Sequence, residues 1–153
     1  MAGDEKMIDG WPLPVTDDPL DREFYRAARR GELVIQACGD CGKLRFPPRP
    51  MCPACQSLAQ RWQVLAGRGR VWSYTVPHPP LLPVFNAQAP YNVVVVELDD
   101  APGIRLVGNL VAGPEAPLNS VDPATIRIGE PVEAVFVAMA EDVTLIRWRR
   151  PLS

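Results

Sequence analysis

Apolar and polar positions keep one rhythm before residue 58 of this chain and another after it. Residues 1–17 are polar and acidic with no period, and read as a mobile or loosely docked arm. Leu20, Phe24, Ala27 and Ala28 then recur at helical spacing. Asp18 is the expected N-cap of that helix and Pro19 its first residue, where a missing N–H costs nothing. Arg29 and Arg30 suit the negative C-terminal end of the helix dipole, and Gly31 supplies the stop. Leu33-Val34-Ile35 and Leu44-Arg45-Phe46 read as short strands, with Pro47, Pro48 and Pro50 stiffening the chain beyond them. From Leu58 onward the period is that of strands, predicted over 61–66, 70–76, 92–98, 104–111, 132–138 and 143–149. Gly67-Arg68-Gly69 reads as the hairpin turn joining the first two of these, rather than as a phosphate cradle. The run Val93 to Val96 predicts a strand buried on both faces.

Short strands without a long helix between them predict a mainly β protein. The expected order is an N-terminal arm and helix (1–34), a ribbon (35–58) and a five- to six-stranded barrel (59–153). An OB-fold is the natural barrel of this size, with an SH3-like barrel or a small sandwich as competitor. The chain has 153 residues, 47% hydrophobic and 22% charged, with a formal net charge of −2, a composition of globular rather than disordered or fibrous type. Its 18 prolines are the outlier and predict long proline-bearing loops. Residues 1–20 contain no apolar core of a secretory signal, and no run approaches a membrane span, so a cytoplasmic protein is expected.

All four cysteines fall into two pairs, Cys38-Gly39-Asp40-Cys41 and Cys52-Pro53-Ala54-Cys55. Two-residue spacing lets a tight turn aim two thiolates at one tetrahedral ion, and ten residues between the pairs suffice for a ribbon to close a four-sulfur site. Two disulfides would require a secreted chain, and a thioredoxin-like redox site would need one such pair rather than two. Cys38, Cys41, Cys52 and Cys55 therefore read as ligands of structural zinc, although spacing alone does not separate zinc from iron. No thiol is then left for nucleophilic catalysis.

Other candidates are weaker. His78, the one histidine, follows the second barrel strand without a GxSxG elbow nearby. An enzyme built on His78 is the third functional reading. The loop 77–90 carries Leu81, Leu82, Val84 and Phe85 with five prolines and no charge, which fits either a partner surface or a flap over the barrel end. Lys43, Arg45 and Arg49 either offset the thiolate charge or meet the phosphates of a nucleotide-like cofactor. Trp72 and Tyr74 alternate on one strand, where single-stranded nucleic acid could stack. Between Tyr91 and Leu145, however, nine acidic residues face only Arg105 and Arg127, too few cations for phosphate binding. Core aromatics are the expected role of Trp72 and Tyr74, and Arg147, Arg149 and Arg150 form a basic cluster around Trp148.

Several segments resemble the acyl-CoA-associated zinc-ribbon/OB-fold family. They are Gly31-Glu32-Leu33, Phe46-Pro47-Pro48-Arg49, Cys52-Pro53-Ala54-Cys55, the stretch Ala66 to Thr75, Ala89-Pro90-Tyr91 and Ile128-Gly129-Glu130-Pro131-Val132. One departure is Phe24-Tyr25, where family members often carry Phe-Trp. The resemblance implies a non-catalytic accessory subunit that docks on a thiolase-like partner, sometimes with a hydratase-like protein. It also implies acyl-CoA as a shared ligand and a role in carbon–carbon bond cleavage or formation, in steroid, lipid or aromatic catabolism. A single-stranded nucleic-acid module is the alternative.

Overall fold

The computed structural model describes residues 7–153, and the first part of the expected arm lies outside the described residues. From Met7 the arm is docked rather than loose. β1 (Met7–Ile8) and β2 (Trp11–Pro12) form a small hairpin, and Trp11 packs edge-on against Phe85 at 5.3 Å. Leu13 is buried. The apolar spacing of Trp11 and Leu13, too short to register as a period, is what fixes this segment.

The helix starts later than expected. Asp18 accepts the Leu20 amide at 2.8 Å and so caps a preceding turn, and α1 proper spans Arg22–Arg29. Its end matches the glycine signal. Gly31 adopts φ +76°, and the amides of Gly31 and Glu32 return to the carbonyls of Ala28 and Ala27. That paired closure satisfies two of the carbonyls that a helix end leaves open.

β3 (Leu33–Cys38) is the centre of a three-stranded antiparallel sheet, flanked by β4 (Leu44–Arg45) and β5 (Gln60–Leu65). The expected hairpin across Gly67 is therefore corrected. β5 pairs with β3, not with the next strand, β6 (Arg68–Thr75). Gly67, at φ +71°, turns a corner between two sheets. Gly69 lets two backbones close up, because a Cβ there would lie 2.4 Å from the Glu97 carbonyl oxygen.

After β6 come the one-turn helix α2 (Pro83–Asn86), β7 (Val93–Leu98), β8 (Ala101–Gly108), a 3-10 turn (Pro123–Thr125), β9 (Pro131–Ala140) and β10 (Val143–Arg149). The larger sheet runs β10-β9-β6-β7-β8, antiparallel throughout. Its two edges are hydrogen-bonded where Asn109 to Val111 lies beside Trp148: Val111 donates to the Trp148 carbonyl at 2.8 Å and Trp148 to the Asn109 carbonyl at 2.9 Å. Asn92 secures that closure, accepting the Leu110 amide at 2.7 Å and donating to the Leu110 carbonyl at 2.8 Å. The architecture is the expected mainly β one, a ribbon followed by an OB-fold half-barrel.

The main apolar core of the half-barrel has Val71, Val94, Val96, Leu98, Leu106, Ile126, Val132 and Trp148 at its heart, and Val111, Val135 and Val137 form a smaller cluster. β3 and β5 contribute Leu33, Ile35 and Leu65 to the main core, and Phe24 and Phe46 pack on its edge. β7 is not buried on both faces as its valine run implied. Val94 and Val96 are buried, whereas Val93 and Val95 are half-buried and Val95 pairs with the exposed Val107.

Candidate metal centre and its surroundings

The two cysteine pairs fold into two copies of one turn. In the first, the Cys38 amide donates to the Lys43 carbonyl at 2.9 Å, and the Gly42 amide donates back to Cys38 at 3.1 Å. In the second, Cys52 donates to Ser57 at 2.9 Å and Gln56 back to Cys52 at 2.9 Å. Both turns need a left-handed residue after the second cysteine. Gly42 provides it at φ +75° and Gln56 at φ +63°, the latter without glycine's freedom. The Ser57 hydroxyl bonds the Asp40 carboxylate and ties the two turns together. Gly39 is forced by proximity, since a Cβ would meet Ala59 Cβ at 2.9 Å.

These turns bring the four sulfurs within 4.8 Å of one another, Cys38 to Cys55 at 3.6 Å and Cys41 to Cys52 at 3.7 Å. A zinc ion with Zn–S bonds of about 2.3 Å sets sulfur–sulfur edges of about 3.8 Å, so the donor set fits structural zinc. Backbone amides prepare the anions. The N–H groups of Cys41 and Asp40 pull the Cys38 thiol down to about 6, and those of Cys55 and Ala54 lower Cys52. At Cys55 the Ser57 amide favours the thiolate, but neighbouring sulfurs outweigh it and push the thiol up to about 12. Without a cation, four thiolates this close repel one another. Metal binding must therefore release protons and weaken as pH falls.

The basic residues of the ribbon divide. Lys43 and Arg49 are exposed, while Arg45 is 5% exposed, donates to the Arg49 carbonyl at 3.1 Å, and is closed to a phosphate. Two of its donors, Nε and Nη1, find no partner among the described residues. The apolar loop divides likewise. Phe85 lies between Trp11 and Tyr91, at 5.3 and 5.9 Å, and Val84 and Leu81 are half-buried. Only Leu82, 53% exposed, remains open to a partner. The N-terminal hairpin packs on this loop through Trp11 and Phe85.

Trp72 and Tyr74 are not core residues. The strand ladder slips between Val71 and Ser73, leaving Trp72 unpaired and 52% exposed. The Arg105 guanidinium covers its ring at 4.0 Å and is held by Glu97 at 3.1 Å, so that face is already taken. The basic cluster near the C-terminus is also dispersed. Arg149 pairs with Glu133 at 2.7 Å, Arg150 with Glu130 at 2.8 Å, and Arg147 is buried. His78 is exposed, with no hydrogen bond to a serine or carboxylate among the described residues. Asn92 and the left-handed Gln56 escaped sequence reading, since neither belongs to a chemical motif; the equal offset of Gly42 and Gln56 from their cysteine pairs was the available signal for the latter.

Residues 26–59 match the family description "ChsH2, rubredoxin-like zinc ribbon domain" and residues 62–137 match "ChsH2, C-terminal OB-fold domain". A "DUF35 domain-containing scaffold protein" of Methanocaldococcus jannaschii is 33% identical over 128 residues, 82% of either chain. This chain belongs to the DUF35 family of ChsH2-type proteins. A "Probable enoyl-CoA hydratase alpha subunit" of Thermomonospora curvata is 40% identical over 122 residues, 80% of this DUF35 chain but 34% of the relative. The chain thus spans about a third of such hydratase subunits. Among solved structures, a chain of the "Ltp2-ChsH2(DUF35) aldolase" superposes with a TM-score of 0.77 at 35% identity, covering 91% of this chain and all of that one. Among the described residues, no helix is long and apolar enough to cross a membrane.

Proposed function

We propose that this DUF35 protein is a non-catalytic, zinc-binding accessory subunit. It docks on a thiolase-like partner and supports acyl-CoA binding during carbon–carbon bond cleavage or formation. The observation that supports the reading is the match, over 91% of this chain, to a chain of the "Ltp2-ChsH2(DUF35) aldolase". The residue inventory agrees with it. The four sulfurs are gathered where they could hold a metal, and the single histidine is exposed, so among the described residues no nucleophile and base meet. Leu82 offers an anchor for the partner, and exposed Lys43 and Arg49 offer cations for CoA phosphates. A hydratase-like protein is a second partner class, as the alpha-subunit relatives imply. The acyl group belongs to steroid, lipid or aromatic catabolism, and the thiolate site suits the reducing cytoplasm.

The test is co-expression with a thiolase-like protein, followed by affinity capture and assay of CoA-thioester turnover. We expect a stable complex, turnover only when both chains are present, and loss of the complex on chelation. Turnover by the isolated chain, undiminished in its His78→Ala variant or abolished by it, overturns the accessory role. Salt-sensitive binding of single-stranded DNA by the isolated chain would instead favour the nucleic-acid alternative.

A further inference from the structure

β10 turns its two faces to different neighbours. Ile146 and Trp148 pack with the main core, so Arg147 between them lies on the other face, beside its ladder partner Val135. On that face Val135 and Val137 cluster with Val111, and Ala116 and Met139 pack against them. A cavity of about 500 Å³ opens there, bordered by Arg147, Glu115, Pro114, Ala116, Phe136 and Val137. The size falls within the range of about 300–1,000 Å³ usual for small-molecule sites.

Arg147 is 7% exposed. Its side-chain partner among the described residues is the Met139 thioether, 3.9 Å from Nη2 and a weak acceptor. The buried donors sealed away without a partner belong to Arg45 and Trp148, so the other guanidinium nitrogens of Arg147 reach open space. A guanidinium stays protonated when buried, and a buried charge without a counter-charge is costly. Burial lowers the Arg147 pKa with no carboxylate acting against it. Glu115 is the carboxylate at the cavity rim, but it is exposed and forms no ion pair among the described residues. The guanidinium therefore meets the cavity with its charge uncompensated.

We propose that this cavity binds a small organic monocarboxylate, its carboxylate paired with Arg147 and its apolar body against Pro114, Ala116 and Phe136. The planar guanidinium fork matches a carboxylate with two parallel hydrogen bonds, which a neutral alcohol cannot form. Glu115 at the rim repels a second negative charge and so favours a monoanion over a dianion. The cavity shares no residue with Leu82, Lys43 or Arg49, needs no partner chain, and rests on no part of the docking reading.

Hexanoate and hexanol serve as probes, each titrated into the zinc-loaded full chain and followed by amide chemical shifts. We expect saturable hexanoate shifts at Ala116, Val137, Ala138 and Arg147, with hexanol at least about tenfold weaker. Arg147→Met, which keeps an apolar side chain in the wall, should weaken hexanoate by about the same factor. Glu115→Gln removes the repulsion at the rim and should tighten hexanoate about twofold or more. Equal affinity for the two probes, no saturable hexanoate binding, or an unaltered hexanoate affinity in Arg147→Met overturns the proposal. Should Arg147→Met fail to fold, the wild-type shifts and Glu115→Gln decide. Shifts confined to other regions, or hexanoate binding that Glu115→Gln weakens, sink the assignment.

Discussion

The ribbon and the half-barrel are held together by different forces, although one strand runs through both. Beyond Ile35 the ribbon has little apolar core of its own; its buried residues are Gln36, Ala37, Cys38, Arg45, Pro48 and Cys52, with Gln36 bonded to Gln60 and to the Arg49 amide at 2.7 Å. The barrel places eleven buried apolar residues in one cluster around Trp148, joined there by Leu33, Ile35 and Leu65 of β3 and β5. A segment this short cannot bury enough surface to offset its chain entropy, so the ribbon's order depends on bonds to an ion, whereas the barrel's depends on packing.

Removing the metal is the largest perturbation of that contrast, because apparent binding energies of about 10–16 kcal/mol accompany structural zinc sites. Chelation should strip amide-exchange protection from Gln36 to Cys38 and from Gln60, while Val94 and Val96 stay protected. Simultaneous loss of both sets would show one cooperative unit and erase the distinction. Trp148→Ala attacks from the other side. Truncating a buried tryptophan costs about 3–5 kcal/mol, and denaturant unfolding should show it. The variant should still bind zinc with four thiolates, and a loss of zinc stoichiometry would mean that the ribbon cannot form without the barrel.

The smallest effect concerns the ion pair that fastens the chain's end. Glu130 accepts the Arg127 amide at 3.0 Å and Arg150 Nε at 2.8 Å. Burial opposes its charge, but Arg150 and the Arg127 amide outweigh this and hold the carboxyl below its ordinary value. The resulting stabilisation is complete above the unfolded carboxylate range and disappears as pH falls through the lowered native value. Glu130→Gln should cost about 1 kcal/mol at pH 7 and less at pH 3. A pH-independent difference between the two proteins would assign the effect to packing rather than charge.

Residues with strong local chemistry made their structure readable in advance. Gly31 stops α1, the cysteine spacing brings four sulfurs together, and the β-branched runs become strands close to their expected bounds. The errors arise where long-range geometry decides. Nothing local tells Leu65 that it pairs with Leu33 rather than across Gly67. A valine run signals burial, but covering a sheet's second face depends on what else packs there, and Val95 ends half-buried. A cluster of arginines looks alike on paper whether its members are neutralised, as Arg149 and Arg150 are, or buried alone, as Arg147 is.

β3 is buried along all six residues, with Leu33 in the barrel's oil and Cys38 on the sulfur cage. At about 3.3 Å per residue it acts as a strut of roughly 20 Å. Its length acts as a gauge: any macromolecule gripping the cage is held at a preset reach and heading from whatever the barrel touches.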